Sequence, residues 1–203
     1  GLAQLWRAEA DLKQGRAAEA AKRFEKLARG PRESAAKAYA WAGLGAAHDK
    51  AGRPKQAAEA LGRAAAEARR WQLAGLESDA ELSAAHALAR AGRLQEAAAA
   101  YGRFTRARPS HPQRSVALYQ QGLALKRLGQ FERAASAFAA IVEGNPDSAF
   151  ASDAHLQLGQ LYGEMGQTER AAAHYQRMGR ASTGSEGRKE ALLLQAQVHY
   201  NHK

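Results

Sequence analysis

Seven histidines, one tight group of carboxylates and a surplus of arginine are the side chains in this chain with chemistry to offer. His199 and His202 are the one close imidazole pair, and no His-Glu-x-x-His pattern accompanies them. His48, His86, His155 and His174 fall singly on helical stretches and read as packed or solvated histidines. Glu77 and Glu81 share a helix face, with Asp79 between them. Paired carboxylates can do acid–base work, but near a helix start they more simply complement the positive end of its dipole. Gly43-x-Gly45 leads into no phosphate loop, and no Gly-x-Ser-x-Gly elbow is present. Nothing assembles a reaction, a metal or a cofactor; the expectation is a protein that is not an enzyme.

The charge is more informative. The net value is +10, and no Asp or Glu stands between Ala97 and Phe131. Arg103, Arg106, Arg108 and Arg114 lie in that window, with Lys126 and Arg127 near its end. Such a bias accelerates encounter with acidic partners and says nothing about fold. A polyanion (nucleic acid, anionic glycan or lipid head group) could use these arginines through counterion release. Nucleic acid is disfavoured, because Phe104 is almost the only aromatic among them. Cysteine is absent, which removes disulfides and thiolate metal sites. No apolar run reaches the roughly 20 residues of a membrane span, and no signal peptide is visible.

The elements that must position these side chains are written in a repeat. Gly-(Arg/Gln)-x-x-x-Ala-Ala begins at Gly15, Gly52, Gly92, Gly129 and Gly166, in steps of 37, 40, 37 and 37 residues. Near-constant spacing of this size marks a stacked array whose units cannot bury their apolar faces alone. In the fourth unit Leu118, Gly122, Leu125 and Leu128 share one helical face, and Gly129 ends that helix. Phe131, Ala134, Ala135, Phe138 and Ile141 then mark a second helix, closed by Asn145-Pro146. Gly122 and Ala134 suit a close approach of two helix axes, and Phe138 the gap toward the next unit. Units are expected at about 1–32, 33–72, 73–110, 111–146 and 147–184, with a partial sixth at 185–203. That last helix should cap the fifth unit or leave an apolar strip exposed, and the natural chain is expected to continue. The 40-residue step is attributed to the join at Arg69–Asp79, as a lengthened helix or a longer loop around Trp71.

Trp41-x-x-Leu44-Gly45, followed by Ala57 and Leu61, resembles the tetratricopeptide signature, and five units in register extend the resemblance over nearly the whole chain. His48 departs from the family's Tyr, and the period exceeds the usual 34. The stretch Asn145 to Gly159, NPDSAFASDAHLQLG, resembles bacterial envelope repeats of the Tol–Pal coordinator and outer-membrane assembly lipoprotein type. The resemblance implies an all-α, right-handed superhelical solenoid of antiparallel helix pairs, five repeats and one extra terminal helix in a single domain. It implies a bacterial periplasmic location, with the cytoplasm as the alternative.

In that family the first helix of each pair lines a concave groove. Carried over position by position, the fifth residue of each unit is Leu5, Ala42, Leu82, Tyr119, Leu156 and Leu193, an apolar row that either binds a partner or packs between helices. His86, Leu123 and Gln160 lie at the ninth position. The thirteenth carries Lys13, Lys50, Arg90 and Arg127, with Lys126 adjacent. These cations would grip an acidic or amphipathic segment of a partner protein, or simply complement helix C-termini. The terminal helix leaves self-association open. The Lys and Asn clamp by which some relatives hold chaperone tails is missing, since the fifth and ninth positions carry neither. Peptides ending in Glu-Glu-Val-Asp are therefore expected not to bind, and a tight calorimetric titration with one would contradict this carry-over.

Overall fold

A computed structural model describes residues 2–31, 33–181 and 184–201. Eleven α-helices and no strand occur among them. In chain order they are α1 (Leu2–Lys13), α2 (Ala17–Ala28), α3 (Ala36–Lys50), α4 (Pro54–Arg70), α5 (Ala74–Arg90), α6 (Leu94–Ala107), α7 (Arg114–Arg127), α8 (Phe131–Gly144), α9 (Ala151–Glu164), α10 (Thr168–Ala181) and α11 (Ser185–Asn201). The chain forms two compact units, Gly1–Phe104 and Thr105–Lys203.

Every motif glycine sits in the left-handed region, with φ of +80° at Gly15, +67° at Gly52, +76° at Gly92, +70° at Gly129 and +72° at Gly166. The residue after each glycine closes the helix by donating its amide back five positions. Arg16 N–H reaches Asp11 O at 2.9 Å, and Gln130 N–H reaches Leu125 O at 3.0 Å. This closure satisfies carbonyls that a helix end would otherwise leave without partners. The next helix then starts within two residues and folds back on the first.

The join between α4 and α5 repeats this turn without glycine. Gln72 has φ +56°, and Leu73 N–H donates to Ala68 O at 2.8 Å. The lengthened-helix alternative is therefore the one observed, and the longer loop around Trp71 is not. Both α4 and α5 run 17 residues, against 14 for α6 and α7, while only three residues join them.

Packing follows from missing side chains. A Cβ on Gly122 would lie 2.6 Å from the Phe138 ring, and one on Gly159 would lie 2.4 Å from the Tyr175 ring. The ring thus fills the space over the glycine of its own hairpin. This corrects the assignment of Phe138 to the gap toward the next unit, for the absent Cβ leaves a ring-sized recess inside the pair. Leu61 lies over Gly45 in the same way, while Phe24 reaches forward to Gly43 of α3. The first unit's core is otherwise largely alanine around Phe24, Trp41 and Leu44. In the second unit Leu125, Phe138, Ile141, Leu158 and Leu161 are almost fully buried. Helix α11 buries Ala191 but leaves Leu192 and Leu193 exposed.

The shared turn predicts opposite signs for two substitutions. Gly129→Ala places a Cβ in a left-handed residue and is expected to cost about 1–2 kcal/mol. Gln72→Gly removes that strain and is expected to be neutral to stabilising by up to about 1 kcal/mol. Urea denaturation of both variants checks this; equal losses would show that the turn conformation does not limit stability.

Candidate functional site

The apolar row at the fifth position does not survive as one surface. Leu5 and Leu82 are buried, Leu82 at 3 % exposure, so Leu82 belongs to the core and leaves the set of surface anchors. Tyr119 and Leu156 are half-buried, as is Leu123, and all three stand on α7 and α9 of the second unit. The Tyr119 ring lies 5.5 Å from both Phe138 and Phe150. Burial raises the Tyr119 hydroxyl pKa, with the Asp153 charge adding to it.

Most of the basic row holds helices together. Lys50 donates from Nζ to the Leu12 carbonyl at 3.3 Å, in the last turn of α1. Arg90 pairs with Asp49 at 2.6 Å, joining α5 to α3. Lys126 donates to Gln160 Oε1 at 2.9 Å and Gln157 Oε1 at 3.2 Å, and lies 3.8 Å from Glu164. Each reaches a neighbouring first helix at or near its C-terminal turn, where cations are favoured. Lys13 and Arg127 are exposed and carry no ion pair among the described residues.

His86 is half-buried with its ring 5.5 Å from Tyr101, and its Nε2 is buried without a hydrogen-bond partner. Burial lowers its pKa, Arg90 lowers it further and Asp49 opposes the shift. The carboxylates Glu77 and Glu81 are not free for acid–base work, since Arg69 binds them at 2.8 and 2.7 Å. The His199 and His202 side chains lie outside the described residues.

Two histidines read singly in the sequence in fact meet. His155 Nδ1 on α9 and His174 Nδ1 on α10 are 3.1 Å apart, so one ring donates and the other accepts. Tyr162 stacks on His174 at 5.3 Å, and Arg170 covers Tyr162 while donating to its hydroxyl at 2.8 Å. Burial pushes His174 down to about 4, helped by His155, Arg177 and Arg170. Burial also lowers His155, with Arg177 contributing. No group of three metal-ligating side chains occurs among the described residues. Spacing along the chain offered no signal for this pair, because it depends on how α9 and α10 are aligned.

The arginine window separates as well. Arg103 lies in the first unit and Arg106, Arg108 and Arg114 in the second. Arg106 and Arg114 line one open cavity of about 490 Å³ together with Arg133, which sequence reasoning did not single out.

With this geometry in hand, the relationships of the chain become informative. Residues 45–193 match the family model YfiO, described as outer membrane lipoprotein. The chain belongs to this family. Solved structures of MamA, a tetratricopeptide-repeat protein, share its fold. One, from AMB-1, aligns with TM-score 0.68 at 19% identity, over 91% of this chain and 94% of that one. MamA from Desulfovibrio magneticus RS-1 aligns at 0.64 and 18% identity, over 86% and 90% of the two chains. BtubC from P. vanneervenii aligns at 0.64 and 19% identity, over 97% and 82%. No curated protein matches the sequence. At such identities the likeness shows the fold, an all-α tetratricopeptide solenoid. Tyr119, Leu123, Leu156 and Gln160 are half-buried on the first helices α7 and α9, and no described helix is long and apolar enough to cross a membrane.

The histidine pair predicts a pH dependence. In the unfolded chain His174 titrates near the ordinary 6.5, whereas in the fold it titrates at about 4. The unfolded state therefore takes its proton first as pH falls. The stability is complete above about 6.5 and is lost toward about 4, by roughly 2 kcal/mol between pH 7 and 5 from this group. His174→Phe should flatten that part of a urea-derived stability profile; an unchanged slope would show that His174 is not the group responsible.

Proposed function

We propose that this protein is a non-enzymatic adaptor that binds a segment of another protein on its first-helix face, within a bacterial envelope assembly. The observation that carries this is the set of half-buried apolar side chains, Tyr119, Leu123 and Leu156, left open on α7 and α9 beside the polar bridge of Lys126 and Gln160. Interface centres favour such aromatic and aliphatic groups with a polar margin. An amphipathic or extended segment would lay its apolar residues there and meet exposed Arg127 at the edge. That cation would add orientation and on-rate more than affinity. The envelope location rests on the family description, outer membrane lipoprotein, together with the Asn145–Gly159 run. No step of this reading needs a cofactor or metal.

The test is capture of partners from an envelope extract by three forms of the chain. Tyr119→Ala with Leu156→Ala should reduce recovery of the wild-type partner at least tenfold, whereas Arg127→Glu should slow association severalfold and steepen nothing else. A partner retained equally by all three forms would move the site off this face. Binding that ignores peptide sequence and collapses with salt would replace this reading by the polyanion one.

A further inference from the structure

We infer that the cavity lined by Arg106, Arg114 and Arg133 is a receptor for a carboxylate, supplied by an acidic residue of a partner protein that has an aliphatic neighbour. The inference deepens the adaptor reading and rests on it. Three guanidinium-bearing residues and no acidic residue line this cavity of about 490 Å³. Arg133 is held from the side by Gln130 Oε1. Arg114 Nε is buried and has no hydrogen-bond partner. A buried charged donor left without an acceptor is costly, and a carboxylate satisfies a guanidinium through two parallel hydrogen bonds.

The array contains its own comparison. A second cavity, of about 430 Å³, is lined by Arg29, Lys37, Arg63 and Glu67 in the first unit. Arg29 and Arg106 each stand 14 residues after a motif glycine, and Lys37 and Arg114 each stand 15 before one. The two cavities are thus the same place in two repeats. Fifteen residues after the glycine, however, the first has Glu67 and the second has Gly144. Where one cavity carries a built-in carboxylate among its cations, the other carries none. A Cβ on Gly144 would meet only Arg114 Nη1, in a tight contact at 3.2 Å with the far end of that side chain, so a residue placed there stands directly against the guanidinium.

The floor names the rest of the ligand. Leu118, Leu125, Ala137 and Ala140 give the cavity an apolar base beneath the arginine rim. Trp41, whose ring lies under Arg63, occupies the Leu118 place in the first cavity. The smaller leucine leaves space for an aliphatic side chain. A free oxyanion offers nothing to this floor, whereas Glu-Leu or Asp-Leu within a protein segment offers both halves.

The probe is N-acetyl-Glu-Leu-amide, titrated into the isotopically labelled full chain and followed by NMR. A saturable shift is expected at the Arg114 Nε–H signal and the Leu118 and Leu125 methyls, with affinity on the order of millimolar for so small a ligand. N-acetyl-Gln-Leu-amide should bind at least tenfold more weakly. Gly144→Glu restores the built-in carboxylate and should weaken the probe at least tenfold without lowering the melting temperature. Arg114→Gln should do the same, and if it destabilises the fold, Arg106→Gln on the rim should still weaken the probe severalfold. Equal binding of the Glu and Gln probes, an absent Arg114 shift, or full affinity in Gly144→Glu would overturn the inference. Tighter binding of inorganic phosphate than of the dipeptide would overturn it in favour of a simple oxyanion site. A partner captured through Tyr119 and Leu156 but indifferent to Arg114→Gln would discard this receptor and leave the adaptor reading standing.

Discussion

Each helix pair depends on one left-handed residue at the end of its first helix. The amide following it reaches back five positions, satisfies a carbonyl the helix cannot, and reverses the chain within two residues. That reversal brings the second helix close enough for its ring or leucine to lie over a glycine of the first, as Phe138 lies over Gly122, Tyr175 over Gly159 and Leu61 over Gly45. The same turn built around Gln72 shows that geometry is what the array requires, and that glycine is its least strained supplier. The longer step is taken up by α4 and α5, which run 17 residues each, and not by the three-residue join at Gln72.

The surplus of positive charge divides into two populations with different work. Lys50, Arg90 and Lys126 reach across to a neighbouring first helix and engage a carbonyl, a carboxylate or amide oxygens near its last turn. They act as ties between repeats, and exposed ties of this kind contribute modestly. Arg106, Arg114 and Arg133 converge on a cavity with no lining carboxylate. A net charge cannot distinguish the two, because the difference lies in where acceptors are placed. Repeats make that difference visible, since the place held by Glu67 in the lining of one cavity is held by Gly144 beside the other.

Buried polar groups show the same logic at smaller scale. His155 and His174 are joined by one hydrogen bond between their rings, with Tyr162 stacked on His174 and Arg170 over Tyr162. Such a column tolerates burial only while the imidazoles stay neutral: burial lowers both pKa values, the Arg177 charge lowers both further, and Arg170 adds to the effect on His174.

Much of the fold was legible in the chain. The motif glycines, the helical spacing of apolar residues and the Trp41–Leu44–Gly45 run identify hairpins, period and family, because all three are local requirements met within a few residues. The candidate site was legible only in part. Tyr119, Leu123, Leu156 and Gln160 lie on half-open helix faces, but Leu82, at an equivalent position, is sealed into the core. Which cations become ties, which histidines meet, and which arginines share a cavity were decided by contacts between residues 19 to 41 positions apart. Those contacts depend on the rotation and register of one helix against the next. Local propensity and periodicity determine that helices form and where they turn; only packing in three dimensions determines which side chains then face one another.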